Sequence, residues 1–169
     1  MLKWIRTEIE RKRAQSFVEN ARAWYQTCKD VSEVMGDGLH DQSIIDKDIG
    51  YMVDGVDRLL FQLRFYIPDS LGTLRRWNPE LAQRFDNANQ LIFRLRNETI
   101  RFLIRSQGPG PMSGDESDDE TLIIYYYRAL VEAGFKARDL RVDLDRDLGF
   151  IWRDLQSVIM QAERVANFN

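Results

Sequence analysis

The sequence predicts an all-α protein that folds as an antiparallel bundle of four long helices. Apolar residues recur at steps of three and four in four separate segments, the spacing of one face of a helix. Residue types that start or end helices stand at several boundaries between these segments. Two of the three connections are short, which favours antiparallel neighbours. We therefore expect a single helical-bundle domain over residues 1–169.

The first helix is predicted from an apolar stripe that glycine follows directly. Gly36 favours a left-handed cap, so we expect the helix to end there and a short loop to reach Gln42. The stripe consists of Ala14, Phe17, Ala21, Trp24, Cys28, Val31 and Met35.

The second helix has a recognisable start and a proline near its end. Ser43 and Asp46 can accept hydrogen bonds from the free N–H groups of a first helical turn. Pro68 indicates that residues 67–77 form a connection, which contains a short helix if Asp69 or Ser70 caps one. The stripe between these signals consists of Ile45, Ile49, Met52, Val56, Leu59, Leu63 and Tyr66.

The third helix is predicted to start at Asn78-Pro79-Glu80, because proline at the first helical position loses no hydrogen bond. Its stripe consists of Leu81, Phe85, Ala88, Ile92, Leu95, Thr99 and Phe102.

A mobile acidic loop rich in glycine and proline is expected over residues 107–119, which offer little to bury. The fourth helix follows it. The sequence leaves open whether Leu122 to Ala133 forms a short fifth helix or begins one long, kinked C-terminal helix. The fourth stripe consists of Leu144, Leu148, Ile151, Leu155, Val158, Ala162 and Val165.

Composition places the chain in the ordinary globular class, with 44% hydrophobic and 30% charged residues and a net charge of −3. The sign of the charge alternates along the chain, which suits attraction between neighbouring helices. Cys28 is the only cysteine and cannot form an internal disulfide. We expect neither a signal peptide nor a membrane span, and hence a cytoplasmic protein.

No catalytic, cofactor-binding or metal site is predicted, and we expect a protein that is not an enzyme. The only histidine, His40, lies in the predicted first loop. Asp143, Asp145 and Asp147 approach the spacing of a calcium loop, but the turn glycine of such a loop belongs one position before Gly149. We expect these aspartates to face solvent on a helix and to pair with arginines.

Two basic stretches support an alternative function, binding to a membrane surface or to nucleic acid. The N-terminal LKWIRTEIERKR mixes apolar residues with five basic ones, as helices that lie on anionic lipid do. The predicted third helix contains FRLRNETIRFLIR, and arginine suits phosphate groups. The acidic pI of 5.3 argues against a dedicated nucleic-acid binder. We therefore rank both partners behind a protein.

The segment LIIYYY, residues 122–127, favours a protein interface. As a helix it carries two apolar stripes, one through Leu130 and Ala133, and a second beside it. Either a thick bundle or fifth helix buries both, or the second is an interface, where tyrosine-rich apolar patches are common. We expect a non-enzymatic interaction or assembly domain that forms a homodimer or binds a protein partner. The candidate interface residues are Ile124, Tyr127, Val131 and Phe135.

Overall fold

A computed structural model describes residues 2–40, 42–106 and 116–167, and the side chains within 6–36, 53–105 and 128–167. Apart from Asn78, these residues lie in four helices, and the described part of the chain contains no strand. The helices are α1 (Leu2–His40), α2 (Gln42–Trp77), α3 (Pro79–Ser106) and α4 (Glu116–Asn167). The predicted all-α four-helix bundle is confirmed.

Neighbouring helices run antiparallel around the bundle. A single residue separates α1 from α2, and Asn78 alone separates α2 from α3. Residue numbers run in opposite directions along α1 and α4, because Arg22 contacts Glu163 whereas Ser32 contacts Asp145. Both α1 and α3 pack against α2 and α4, and they also contact each other across the centre. The helices α2 and α4 therefore occupy opposite corners.

The core forms where the predicted apolar stripes meet. Every residue of the predicted first and third stripes is buried. The fourth stripe is buried up to Ala162, whereas Val165, in the last turn of α4, is 40% exposed. A buried aromatic contact joins α1 to α3, with the rings of Trp24 and Phe85 stacked at 3.9 Å between centroids. The indole Nε1 of Trp24 donates a 2.6 Å hydrogen bond to Oδ1 of Asn89 on α3, which satisfies the buried N–H.

Asn78 caps α3, whose predicted start at Asn78-Pro79-Glu80 is confirmed, and it also closes the end of α2. Its backbone N–H donates to the carbonyl of Leu74 at 2.7 Å, closing the last turn of α2. Its side-chain Oδ1 accepts a 3.0 Å hydrogen bond from the N–H of Leu81, one of the free donors at the start of α3.

The prediction that the first helix ends at Gly36 is wrong, since α1 continues to His40. Gly36 is buried inside the helix, and the guanidinium of Arg141 on α4 occupies the space beside it. A Cβ at this position would overlap the guanidinium of Arg141. The glycine therefore serves helix packing rather than helix termination.

The prediction of a connection over residues 67–77 is also wrong, because α2 runs through Pro68 to Trp77. Proline leaves the carbonyl of Arg64 without its helical donor, but both residues are exposed and water can satisfy it. Ser70, Leu71 and Leu74 beyond the proline are buried in the core, which holds the last turns of α2 in place.

One continuous helix, α4, covers the region in which the sequence left one or two helices open. It begins at Glu116, so residues 116–119 are helical and the predicted loop is shorter at its C-terminal end. Acidic residues in the first turn suit the positive end of the helix dipole. The remainder of the predicted loop, residues 107–115, lies outside the described residues.

Candidate interaction surface

The outer face of α4 exposes several large apolar side chains, of which Met160 lies towards the C-terminus and three lie between residues 131 and 142. Val131 is 54% exposed, Phe135 60% and Val142 65%. They lie half a helical turn away from Ala133, Ala137 and the rest of the fourth stripe, which face the core. We call Val131, Phe135 and Val142 the outer stripe. A helix packed on one side only needs no apolar residues on the other side, so the outer stripe marks a surface available to a partner.

The N-terminal part of α4 extends past the end of α3. Arg105, in the last turn of α3, donates a 3.1 Å hydrogen bond to the carbonyl of Ala129. From Ala129, α4 continues for 13 residues back to Glu116, which corresponds to about 20 Å at the usual rise per residue. We call residues 116–128 the α4 extension. Because α3 ends at Ser106, it offers the α4 extension no packing surface.

The four predicted interface residues divide between these two parts of α4. Val131 and Phe135 are exposed, so no thick bundle or fifth helix among the described residues buries them. Ile124 and Tyr127 belong to the α4 extension, and their side chains lie outside the described residues. Val142 belongs to the same face but was not among the interface residues predicted from the sequence. It lies seven residues after Phe135, and continuing the predicted stripe by one heptad would have found it.

Charged residues flank the outer stripe. Lys136 contacts Glu132 at 2.9 Å, and this hydrogen bond lowers the pKa of the Glu132 carboxyl. Four arginines on the outer face of α4 are exposed and alternate with acidic residues, whereas the α4 extension begins with an acidic segment. These arginines are Arg128, Arg138, Arg146 and Arg153.

A second exposed apolar group lies at the opposite corner of the bundle. Phe61 and Phe65 on α2 are 58% and 63% exposed, and their rings pack edge to face at 5.2 Å between centroids. Neither residue belongs to the predicted second apolar stripe. They are exposed because the seven-residue steps of the core residues Val56, Leu63 and Ser70 leave them on the far side of α2.

The arginines of α3 are mostly engaged within the bundle. Arg96 donates two 2.8 Å hydrogen bonds to Asp57 of α2, and Arg101 pairs with Glu98. Arg105 binds the backbone of α4, as described above. These contacts occupy part of the positive charge of the third helix, whereas Arg94 is exposed and forms no ion pair with another described residue.

The aspartates whose spacing approaches that of a calcium loop lie on α4, where their carboxylates contact arginine or serine side chains. Asp143 pairs with Arg146 at 2.8 Å, and Asp145 accepts a 2.6 Å hydrogen bond from Ser32. Within the described residues, no three potential ligand side chains cluster in a way that could hold a metal ion.

Burial raises the pKa of the Cys28 thiol well above its usual value, which suppresses its reactivity. The side chain of His40 lies outside the described residues.

No family model, curated protein or solved structure matches this chain. Across the part of the chain that the structure describes, no helix is both long and apolar enough to cross a membrane.

Proposed function

We propose that this protein is a non-enzymatic assembly domain that forms a two-fold homodimer through α4. The observation that carries the proposal is the outer stripe, three large apolar side chains that are each more than half exposed on one helix face. Burying such side chains stabilises a complex by up to about 1.5 to 3 kcal/mol each. We also propose a cytoplasmic location, which the single, buried and reduced cysteine supports.

An antiparallel pairing of two α4 helices accounts for the layout of the surface. With the two-fold axis near Val131, residue 135 of one copy lies opposite residue 127 of the other. The α4 extension of each copy then lies along the outer stripe of its partner, which provides the packing surface that α3 does not. The acidic first turn of each α4 extension then lies near Arg146 of the partner, which within its own chain pairs with Asp143 and Asp147.

The proposal is tested by the double substitution Val131→Arg and Phe135→Arg. Both side chains are more than half exposed in the single chain, so the substitutions leave the core intact. We expect the variant to remain helical by circular dichroism. Its melting temperature should not fall below that of the wild-type protein diluted until it is monomeric. Its mass by light scattering should fall from that of a dimer to that of a monomer.

The matched control is the double substitution Phe61→Arg and Phe65→Arg on α2. It makes the same change in charge and a similar change in exposed apolar surface at the opposite corner of the bundle. The control should remain a dimer. A wild-type protein that is monomeric at all accessible concentrations, or an α2 variant that dissociates instead, would overturn the proposed interface.

A further inference from the structure

A groove between α1 and α2 is lined by three basic side chains and one carboxylate, which leaves it with an excess of positive charge. Its volume is about 470 Å³, within the range of small-molecule sites. Lys12 and Arg13 line it from α1, and Arg76 lines it from the last turn of α2. None of these three side chains forms an ion pair with another described residue.

The single carboxylate in the groove, that of Asp69, accepts hydrogen bonds from two side chains of α1. Oδ2 of Asp69 accepts hydrogen bonds from Oγ of Ser16 at 3.3 Å and from Nδ2 of Asn20 at 3.1 Å. Three cations thus face one carboxylate that is held by α1, and the groove keeps an excess of positive charge. This contrasts with α3, where internal partners occupy Arg96, Arg101 and Arg105.

The other walls of the groove are suited to an organic anion rather than a bare ion. Thr73 supplies a hydroxyl, and Ile9, Pro68 and Gly72 supply apolar surface. A phosphate group would take up a small part of the volume near the cations, and the rest of the ligand would cover the apolar wall. Guanidinium groups match the geometry of phosphate oxygens.

From this arrangement we propose that the groove binds a phosphate ester through Lys12, Arg13 and Arg76. The site is independent of the proposed dimer, because it lies between α1 and α2 whereas the outer stripe is on α4. A nucleic acid is disfavoured, since it requires a continuous basic track, whereas Arg96, Arg101 and Arg105 of α3 have partners within the chain. The phosphate belongs either to a soluble metabolite or to a lipid headgroup.

Inorganic phosphate and pyrophosphate are the soluble probes, titrated into the full-length protein and followed by amide chemical shifts in nuclear magnetic resonance. Shifts should be concentrated in residues 9–16 and 68–76. Arg76→Gln and Arg13→Gln should each raise the dissociation constant roughly tenfold. The matched control is Arg75→Gln, which removes the same charge from the neighbouring exposed position but does not line the groove. It should change the dissociation constant by less than about twofold.

A vesicle assay distinguishes the two sources of phosphate. Sedimentation with phosphatidylcholine vesicles is compared in the presence and absence of phosphatidic acid. Binding that requires phosphatidic acid and is lost in Arg76→Gln but kept in Arg75→Gln identifies a lipid headgroup. Binding of the soluble probes without vesicle binding identifies a metabolite. Equal weakening by Arg75→Gln and Arg76→Gln, or binding of neither soluble phosphate nor vesicles, overturns the site.

Discussion

Two glycines inside α4 allow the packing of the bundle to be tested by the same substitution at two positions. Gly149 is exposed, and a Cβ added there would meet no atom within 4 Å. Gly134 is buried, and an added Cβ would lie 2.9 Å from Cε2 and 3.1 Å from Cδ2 of Phe102 on α3. Both are interior helical positions, so the intrinsic preference for alanine is the same at each.

The two substitutions should change the free energy of unfolding in opposite directions. Alanine is favoured over glycine in a helix by about 1 kcal/mol, so Gly149→Ala should stabilise the protein by roughly that amount. At Gly134 the ring of Phe102 would have to move by about half an ångström to restore ordinary contact. Overpacking of this kind costs about 1 to 3 kcal/mol. The sum predicts that Gly134→Ala is between neutral and about 2 kcal/mol destabilising.

Thermal and urea unfolding, followed by circular dichroism, measure both effects. In a chain of this size 1 kcal/mol corresponds to about 2 to 4 °C in melting temperature, so the two variants should be clearly separated. The control is Gly134→Ala measured against the single variant Phe102→Leu, because the smaller side chain removes the overlap and alanine should then regain part of its helical preference. Equal stabilisation by the two single substitutions would show that Phe102 does not pack against Gly134.

Three further predictions concern the core and the surface. Asn89→Ala leaves the buried indole N–H of Trp24 without an acceptor and should lower the free energy of unfolding by about 1 to 3 kcal/mol; an unchanged urea midpoint would contradict this. Alkylation of Cys28 at mildly alkaline pH should be slow in the native protein and rapid in denaturant, because burial raises its pKa; rapid native labelling would refute its burial. A double-mutant cycle between Asp57 and Arg96, whose side chains are 44% and 28% exposed, should give a coupling of about 0.2 to 1 kcal/mol, and no measurable coupling would argue against the pair.

The parts of the fold that follow from local chemistry were predictable from the sequence. The third helix is the clearest example, because Asn78 and Pro79 mark its start and every member of its stripe is buried. The errors at Gly36 and Pro68 have a common cause. Glycine and proline usually interrupt a helix, but at these positions tertiary packing accommodates a continuous helix. Gly36 packs against Arg141, and the buried Leu71 and Leu74 follow Pro68.

The candidate surface was only partly predictable, because amphipathicity alone does not say which of two apolar stripes faces the core. The second stripe of α4 was identified through Val131 and Phe135, but its exposure depends on where α1 and α3 pack. The groove between α1 and α2, which we propose binds a phosphate ester, could not be predicted from the sequence. It brings Lys12 and Arg13 together with Arg76, more than sixty residues away in the chain, and no sequence periodicity encodes that approach.

Regular apolar stripes leave the relative sliding of two helices underdetermined, because a shift by one heptad again places apolar residues opposite apolar residues. The pairs Arg22–Glu163 and Ser32–Asp145 select one alignment of α1 with α4, and the guanidinium of Arg141 beside Gly36 fits that same alignment. A shift by seven residues would break both pairs, and in one direction it would place Arg141 opposite Lys29, which carries the same charge. The polar contacts between α1 and α4 therefore disfavour the shifted alignments that the apolar stripes alone would allow.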